Sequence, residues 1–96
     1  MSTKRLIEVN EFCVSHQIEV SFISSLRDTG LIEVLSDQES VFFDSEQLQQ
    51  VEKFIRFHYD LDINIEGIEC IDHLLKRTAA MQDEIASLRN RLSLYE

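Results

Sequence analysis

A stripe of apolar residues, spaced alternately by three and four, runs through the last third of the sequence. This spacing fills positions a and d of a heptad, the face through which the helices of a coiled coil pack. The chain contains no proline, so nothing in it interrupts the long helix that the pattern predicts from Asn64 onwards. The stripe consists of Ile71, Leu74, Thr78, Met81, Ile85, Leu88, Leu92 and Tyr95.

Charged residues beside this stripe indicate a helical partner. Glu84 lies five residues before Arg89, and Arg91 lies five before Glu96, which are the offsets of a parallel pair. Glu84 and Arg91 would also pair across an antiparallel dimer, so the direction stays open. Packing against the chain's own helices is the alternative, but the last turns extend past everything else in the chain, which favours a homodimer. The predicted dimer seam comprises Thr78, Met81, Ile85, Leu88, Leu92 and Tyr95.

The residues before this helix predict a helix-turn-helix. Residues 6 to 9 are typical of a short strand or extended segment, and Asn10 is the expected cap of a first helix over residues 11 to 16. A second helix is expected from about residue 20 to 29. Gly30 ends it, because a glycine after a helix adopts the left-handed conformation at little cost.

The hydrophobic period then changes from helical to alternating. Residues 32–35 and 40–43 flank a polar turn and predict a small β-hairpin, or wing. Asp44 is the expected cap of a third helix, with Gln47 at capping-box spacing. That helix is expected to end between residues 59 and 62.

These elements predict a mainly α fold: a winged helix-turn-helix with a small β-hairpin wing and a long C-terminal coiled-coil helix. The chain of 96 residues is one domain by length. Within it, residues 1–62 are assigned to the winged helix-turn-helix, and residues 63–96 to the helix for packing and dimerisation.

The charge balance favours a basic protein as the partner. The chain carries 18 acidic and 9 basic side chains, a formal net charge of -9. Nucleic-acid affinity depends on Lys and Arg contacts to phosphates, so no nucleic acid is expected as a partner. An acidic cluster spans the junction of the last two helices and is either a solvated face or a surface for a basic partner. The candidate partner-binding residues are Asp60, Asp62, Glu66, Glu69 and Asp72.

Catalytic, metal and membrane functions find little support. Cys13-x-x-His16 and Cys70-x-x-His73 lack the paired-cysteine knuckle of a zinc finger, and the favoured interpretation is two buried thiols and two surface imidazoles. No nucleophile triad or phosphate-binding loop is present, so we expect no enzyme activity and no cofactor. Free thiols and the absence of a long apolar run predict a cytoplasmic protein outside the membrane.

The order of elements resembles the MerR-type winged helix. The resemblance is carried by Gly30-Leu31-Ile32 after the second helix, Phe43 at the aromatic position of the wing and Leu48 in the next helix. It implies that the second helix and the wing would face DNA.

This chain departs from the MerR pattern where DNA would be read. MerR-type regulators usually carry an Arg-Tyr pair in the second helix and an arginine in the wing. The aligned positions here are Ser24 and Ser25, and the wing offers Glu39 and Ser40. Residues 17–43 contain five acidic side chains and a single basic one.

With this departure, the chain resembles the CbpM-type chaperone-modulator family. That resemblance implies a MerR-like protein that binds and inhibits the J-domain of a DnaJ-like co-chaperone, CbpA. A J-domain presents a basic helix to Hsp70, and an acidic module would cover it. The alternative is a MerR-like transcription regulator or anti-regulator. The residues that carry the resemblance are Glu11-Phe12-Cys13, the run from Leu61 to Ile68 and the run from Leu88 to Leu92.

Overall fold

A computed structural model describes residues 5–95 of the chain. It has a three-stranded antiparallel sheet in the order β1-β3-β2, and the helices form the rest of the small N-terminal body and one long C-terminal extension. The mainly α fold with a wing and a long last helix is confirmed. In chain order the elements are β1 (Leu6–Glu8), α1 (Val9–His16), α2 (Val20–Asp28), β2 (Leu35–Asp37), β3 (Ser40–Asp44), α3 (Leu48–Ile55) and α4 (Ile65–Ser93).

The first helix begins two residues earlier than predicted, at Val9 instead of Glu11. Glu8, not Asn10, is its N-cap, and the Glu8 carboxylate accepts a hydrogen bond from the Glu11 N–H at 2.6 Å. The predicted Asn10 cap is therefore wrong. A carboxylate at this position satisfies a free amide of the first turn, which is the task of an N-cap side chain.

The end of α2 follows the prediction. Gly30 has φ +80°, and its N–H donates to the Arg27 carbonyl at 3.0 Å. The Leu31 N–H donates to the Leu26 carbonyl at 2.9 Å, so the two bonds form the Schellman motif. This turn directs the chain from α2 towards the wing.

The wing begins later than predicted because another group pairs with the backbone before it. The Gln47 side-chain amide accepts from the Glu33 N–H and donates to the Glu33 carbonyl, both at 2.8 Å. The strand therefore starts at Leu35 rather than at residue 32. Gln47 does not act in a capping box; Asp44 Oδ1 instead accepts from the Glu46 N–H at 2.9 Å.

The third helix is flanked by a different type of helical turn at each end. A 3-10 turn over Ser45–Gln47 precedes α3, and a π-helical turn over Arg56–Asp60 follows it, so the end falls within the predicted range. His58 lies in this turn. Its ring stacks on Phe22 with centroids 4.7 Å apart, and its Nδ1 lies 2.9 Å from the Ile63 carbonyl oxygen.

The start of α4 packs into the core. Asn64 caps the helix as predicted, its side chain accepting from the Gly67 N–H at 2.8 Å. A Cβ on Gly67 would lie 2.7 Å from Ile63 Cγ2, so the chain packs too closely here for a larger residue. Ile68 is fully buried, whereas residues 73–95 are all exposed. The buried core consists of Val9, Phe12, Cys13, Phe22, Ile23, Leu26, Ile32, Phe43, Val51, Phe54 and Ile68.

Candidate partner-binding surfaces

The face formed by α2 and the wing is acidic. Of the side chains between residues 17 and 43, all five acidic ones belong to exposed residues. Arg27 is the single basic residue there, and its guanidinium is bound by the neighbouring Asp28, with Nη2 3.0 Å from Oδ1. This pairing offsets the one positive charge that the face could offer to a phosphate.

A small cleft opens on the same face between α1, α2 and the wing. Its volume is ≈ 60 Å³, and we refer to it as the wing cleft. Ser24, one of the residues aligned with the DNA-reading pair of MerR-type regulators, is half-buried in its wall. The cleft is lined by Val9, Asn10, Val20, Ile23, Ser24, Arg27, Val34 and Val41.

Four of the five predicted partner-binding residues lie exposed around the start of α4. We call Asp60, Asp62, Glu66 and Glu69 the acidic junction. Asp62 has φ +56°, a left-handed conformation that aspartate tolerates better than most residues. Glu66 lies in the first turn of α4, where a carboxylate also stabilises the positive end of the helix dipole.

Asp72 does not belong to this exposed set. It is 5 % exposed, and its Oδ2 forms an ion pair with Lys76 Nζ at 2.9 Å. Asp72 follows Ile65 and Ile68 at helical spacing, so it shares the face of α4 that packs into the core. The predicted placement of Asp72 on the surface of the cluster is therefore corrected: it lies buried in an intrahelical ion pair.

Apolar side chains accompany the acidic junction. Leu61 lies within it and is 63 % exposed. Tyr59 packs edge-on against Phe22, and its hydroxyl accepts from the Glu19 N–H at 3.1 Å. This bond holds Tyr59, which directly precedes Asp60 of the acidic junction, against the start of α2.

The predicted dimer seam is exposed along its whole length. Met81, Ile85 and Leu88 are each about half exposed, at 50 %, 50 % and 53 %, and Tyr95 is 88 % exposed. Within residues 5–95, the seam has no packing partner among the chain's own helices, so the intramolecular alternative is excluded for this part of the chain. The structure contains one copy of the chain, and a second copy on the seam stays a prediction.

The two Cys-His pairs lie in different environments. Cys13 is buried, and burial raises the pKa of its thiol above the ordinary value, with the Glu8 carboxylate adding to the rise. Cys70 is exposed, so the prediction of two buried thiols is wrong for this residue. The His16 ring stacks on Phe12 at 3.9 Å. No cluster of three or more potential metal ligands is found between residues 5 and 95.

A transmembrane segment is not among the described helices, since none combines the length and the apolar composition that a bilayer span requires. The family model described as MerR HTH family regulatory protein matches residues 7–90, which run from the second residue of β1 through most of α4. Comparisons with curated proteins and with solved structures gave no significant match.

Proposed function

The chain belongs to the MerR HTH family of regulatory proteins, and from this premise we propose that it regulates by binding a basic protein instead of duplex DNA. The partner that we propose is the J-domain of a DnaJ-like co-chaperone, which the chain inhibits. One observation carries the proposal: the α2–wing face has five exposed acidic residues, and its single basic residue, Arg27, is paired with Asp28.

The proposed mechanism is occlusion. The acidic junction binds the basic helix that a J-domain presents to Hsp70, and Hsp70 is thereby excluded. Opposite charge on the two surfaces raises the association rate, whereas apolar contact sets the lifetime of the complex. Leu61, which is exposed among the acidic residues, supplies such a contact. The inhibitor acts stoichiometrically and needs no catalytic group.

We also propose that the working unit is a homodimer held through α4. The apolar stripe spans more than three heptads, which is long enough for a stable coiled coil. Charges beside the stripe are complementary in either direction of pairing. A dimer presents two acidic junctions, one from each copy.

Transcription regulation is the second candidate function. The family match supports it, because a helix-turn-helix is a DNA-binding motif in many regulators. The acidic α2–wing face argues against direct DNA contact, so a role in transcription would proceed through another protein.

Inhibition of a J-domain is tested by the ATPase activity of Hsp70. We expect the chain to return the J-domain-stimulated rate to the basal rate at about one chain per J-domain. The basal rate of Hsp70 alone should not change, which separates an effect on the J-domain from an effect on Hsp70. A stimulated rate that persists at excess chain would refute the proposal.

Binding to duplex DNA is expected to be undetectable. Non-specific DNA binders reach dissociation constants of roughly 10⁻⁴–10⁻⁶ M at physiological salt through Lys and Arg contacts to phosphates. This chain lacks such contacts on its α2–wing face. A gel-shift with random duplex at moderate salt is the measurement, and micromolar binding that weakens steeply with added salt would favour the second candidate.

A further inference from the structure

The wing cleft is a separate feature from the acidic junction, and five of its eight lining residues are aliphatic. We propose that it receives one aliphatic side chain of a basic partner helix, so that the face used for DNA in related folds docks a protein. That the partner is a J-domain rests on the proposed function. That the cleft receives an aliphatic side chain does not.

The size of the cleft fits a single aliphatic side chain. A water needs roughly 10–15 Å³, and a cavity of about 150 Å³ accommodates benzene. At ≈ 60 Å³ the wing cleft is too large for one water alone and too small for an aromatic ring. Val20 at its edge is 44 % exposed and would be covered by the incoming side chain.

The charges beside the cleft specify a basic helix. Two exposed acidic residues adjoin its lining along the chain, Glu19 before Val20 and Glu33 before Val34, while Arg27 in the lining is paired with Asp28. An aliphatic anchor flanked by positive charges would therefore find complementary charge at Glu19 and Glu33. The negative backbone of a nucleic acid would meet repulsion there.

A hydrogen bond also links the residue before the acidic junction to the residue before the cleft wall. The Tyr59 hydroxyl accepts from the Glu19 N–H at 3.1 Å, next to Val20 of the cleft wall. Asp60 of the acidic junction follows Tyr59 in the chain. A single helix can therefore place basic side chains on the junction and its aliphatic anchor in the cleft.

The test uses the full chain with four probes: a purified J-domain, a basic amphipathic helical peptide with one central leucine, the same peptide with alanine in its place, and duplex DNA. Amide chemical shifts of the wild-type chain locate each contact without any substitution. Ser24→Phe blocks the mouth of the cleft from its wall with a ring that is too large to lie inside it, and Ser21→Phe is the matched control, since Ser21 is exposed on the same helix outside the cleft.

We expect the J-domain and the leucine peptide to shift the amides that surround the wing cleft. Ser24→Phe should lower the affinity for the J-domain and for the leucine peptide by at least about tenfold, because burying one aliphatic side chain contributes about that much affinity or more. For the same reason, the wild-type chain should bind the alanine peptide at least about tenfold more weakly than the leucine peptide. Ser21→Phe should bind like the wild type.

Failure of the inference and failure of the proposed function are distinguishable. A J-domain that binds elsewhere, with Ser24→Phe unchanged in affinity, overturns the cleft and leaves the proposed function standing. A leucine peptide that binds in the cleft, while the J-domain does not bind at all, supports the cleft and refutes the J-domain as the partner. If neither basic probe shifts the cleft amides, or if duplex DNA shifts them, the inference is overturned.

Discussion

The double substitution of Ile85 and Leu88 by aspartate is expected to convert a dimer into a monomer. The two residues occupy successive a and d positions and are half exposed in one copy of the chain, where they contact no other helix. In a coiled-coil dimer they would be buried, and four introduced carboxylates would then face one another in an apolar seam. Burial of charge without a partner is expensive enough to abolish association. Sedimentation velocity is the measurement.

A matched control adds the same charge to the same helix outside the seam. Ser87→Asp with Asn90→Asp changes two exposed residues of α4 that belong to neither the a nor the d positions. This variant should stay dimeric. The midpoint of thermal unfolding of the N-terminal body should be unchanged in both variants, because the buried core contains none of the substituted residues. A seam variant that remains dimeric would place the interface elsewhere, and a monomeric wild type would refute the dimer itself.

The features that the sequence predicted correctly depend on short-range patterns. The Schellman end of α2 follows from Gly30, the start of α4 from Asn64, and the exposed stripe of α4 from spacing by three and four. Each involves residues within one or two helical turns of each other. Helix periodicity and capping are local properties, so composition and spacing are sufficient to identify them.

The features that the sequence missed depend on contacts between distant residues. Gln47 pairs with the backbone of Glu33, fourteen positions earlier, and so delays the wing. Leu6 aligns with Asp44 in the pairing of β1 with β3, which adds a third strand to the predicted hairpin. Neither contact has a short sequence signature, because the tertiary fold determines which distant groups meet.

The candidate site was predicted in part, and its one misplaced member has a local explanation. The sequence identified the charges of the acidic junction correctly as a cluster near Asn64. It counted Asp72 among them because Asp72 closely follows the other four in the sequence. The periodicity of α4 held the contrary signal, since Asp72 lies four residues after the buried Ile68. No sequence pattern predicted the wing cleft, because its walls come from α1, α2 and the wing, which are brought together only by the tertiary fold.

Charge reversal of the acidic junction is expected to remove most of the affinity for a J-domain. The variant Asp60→Lys, Glu66→Lys, Glu69→Lys replaces attraction by repulsion at three exposed positions. Asp62 is left unchanged, because its φ of +56° would strain a lysine there. Exposed ion pairs contribute little individually, so single reversals should have small effects, and the triple variant should weaken binding roughly ten- to a hundredfold.

The loss should be mainly in the association rate, since long-range attraction accelerates encounter, and the binding of the wild-type chain should weaken as salt screens it. Biolayer interferometry against a purified J-domain at two salt concentrations measures both. The control Glu46→Lys, Glu52→Lys, Asp83→Lys makes the same change in net charge at exposed residues outside the junction and should lose far less affinity. Circular dichroism checks that both variants fold. Equal losses in the two variants would mean that net charge alone attracts the partner, and an unchanged affinity of the junction variant would identify the junction as a solvated face.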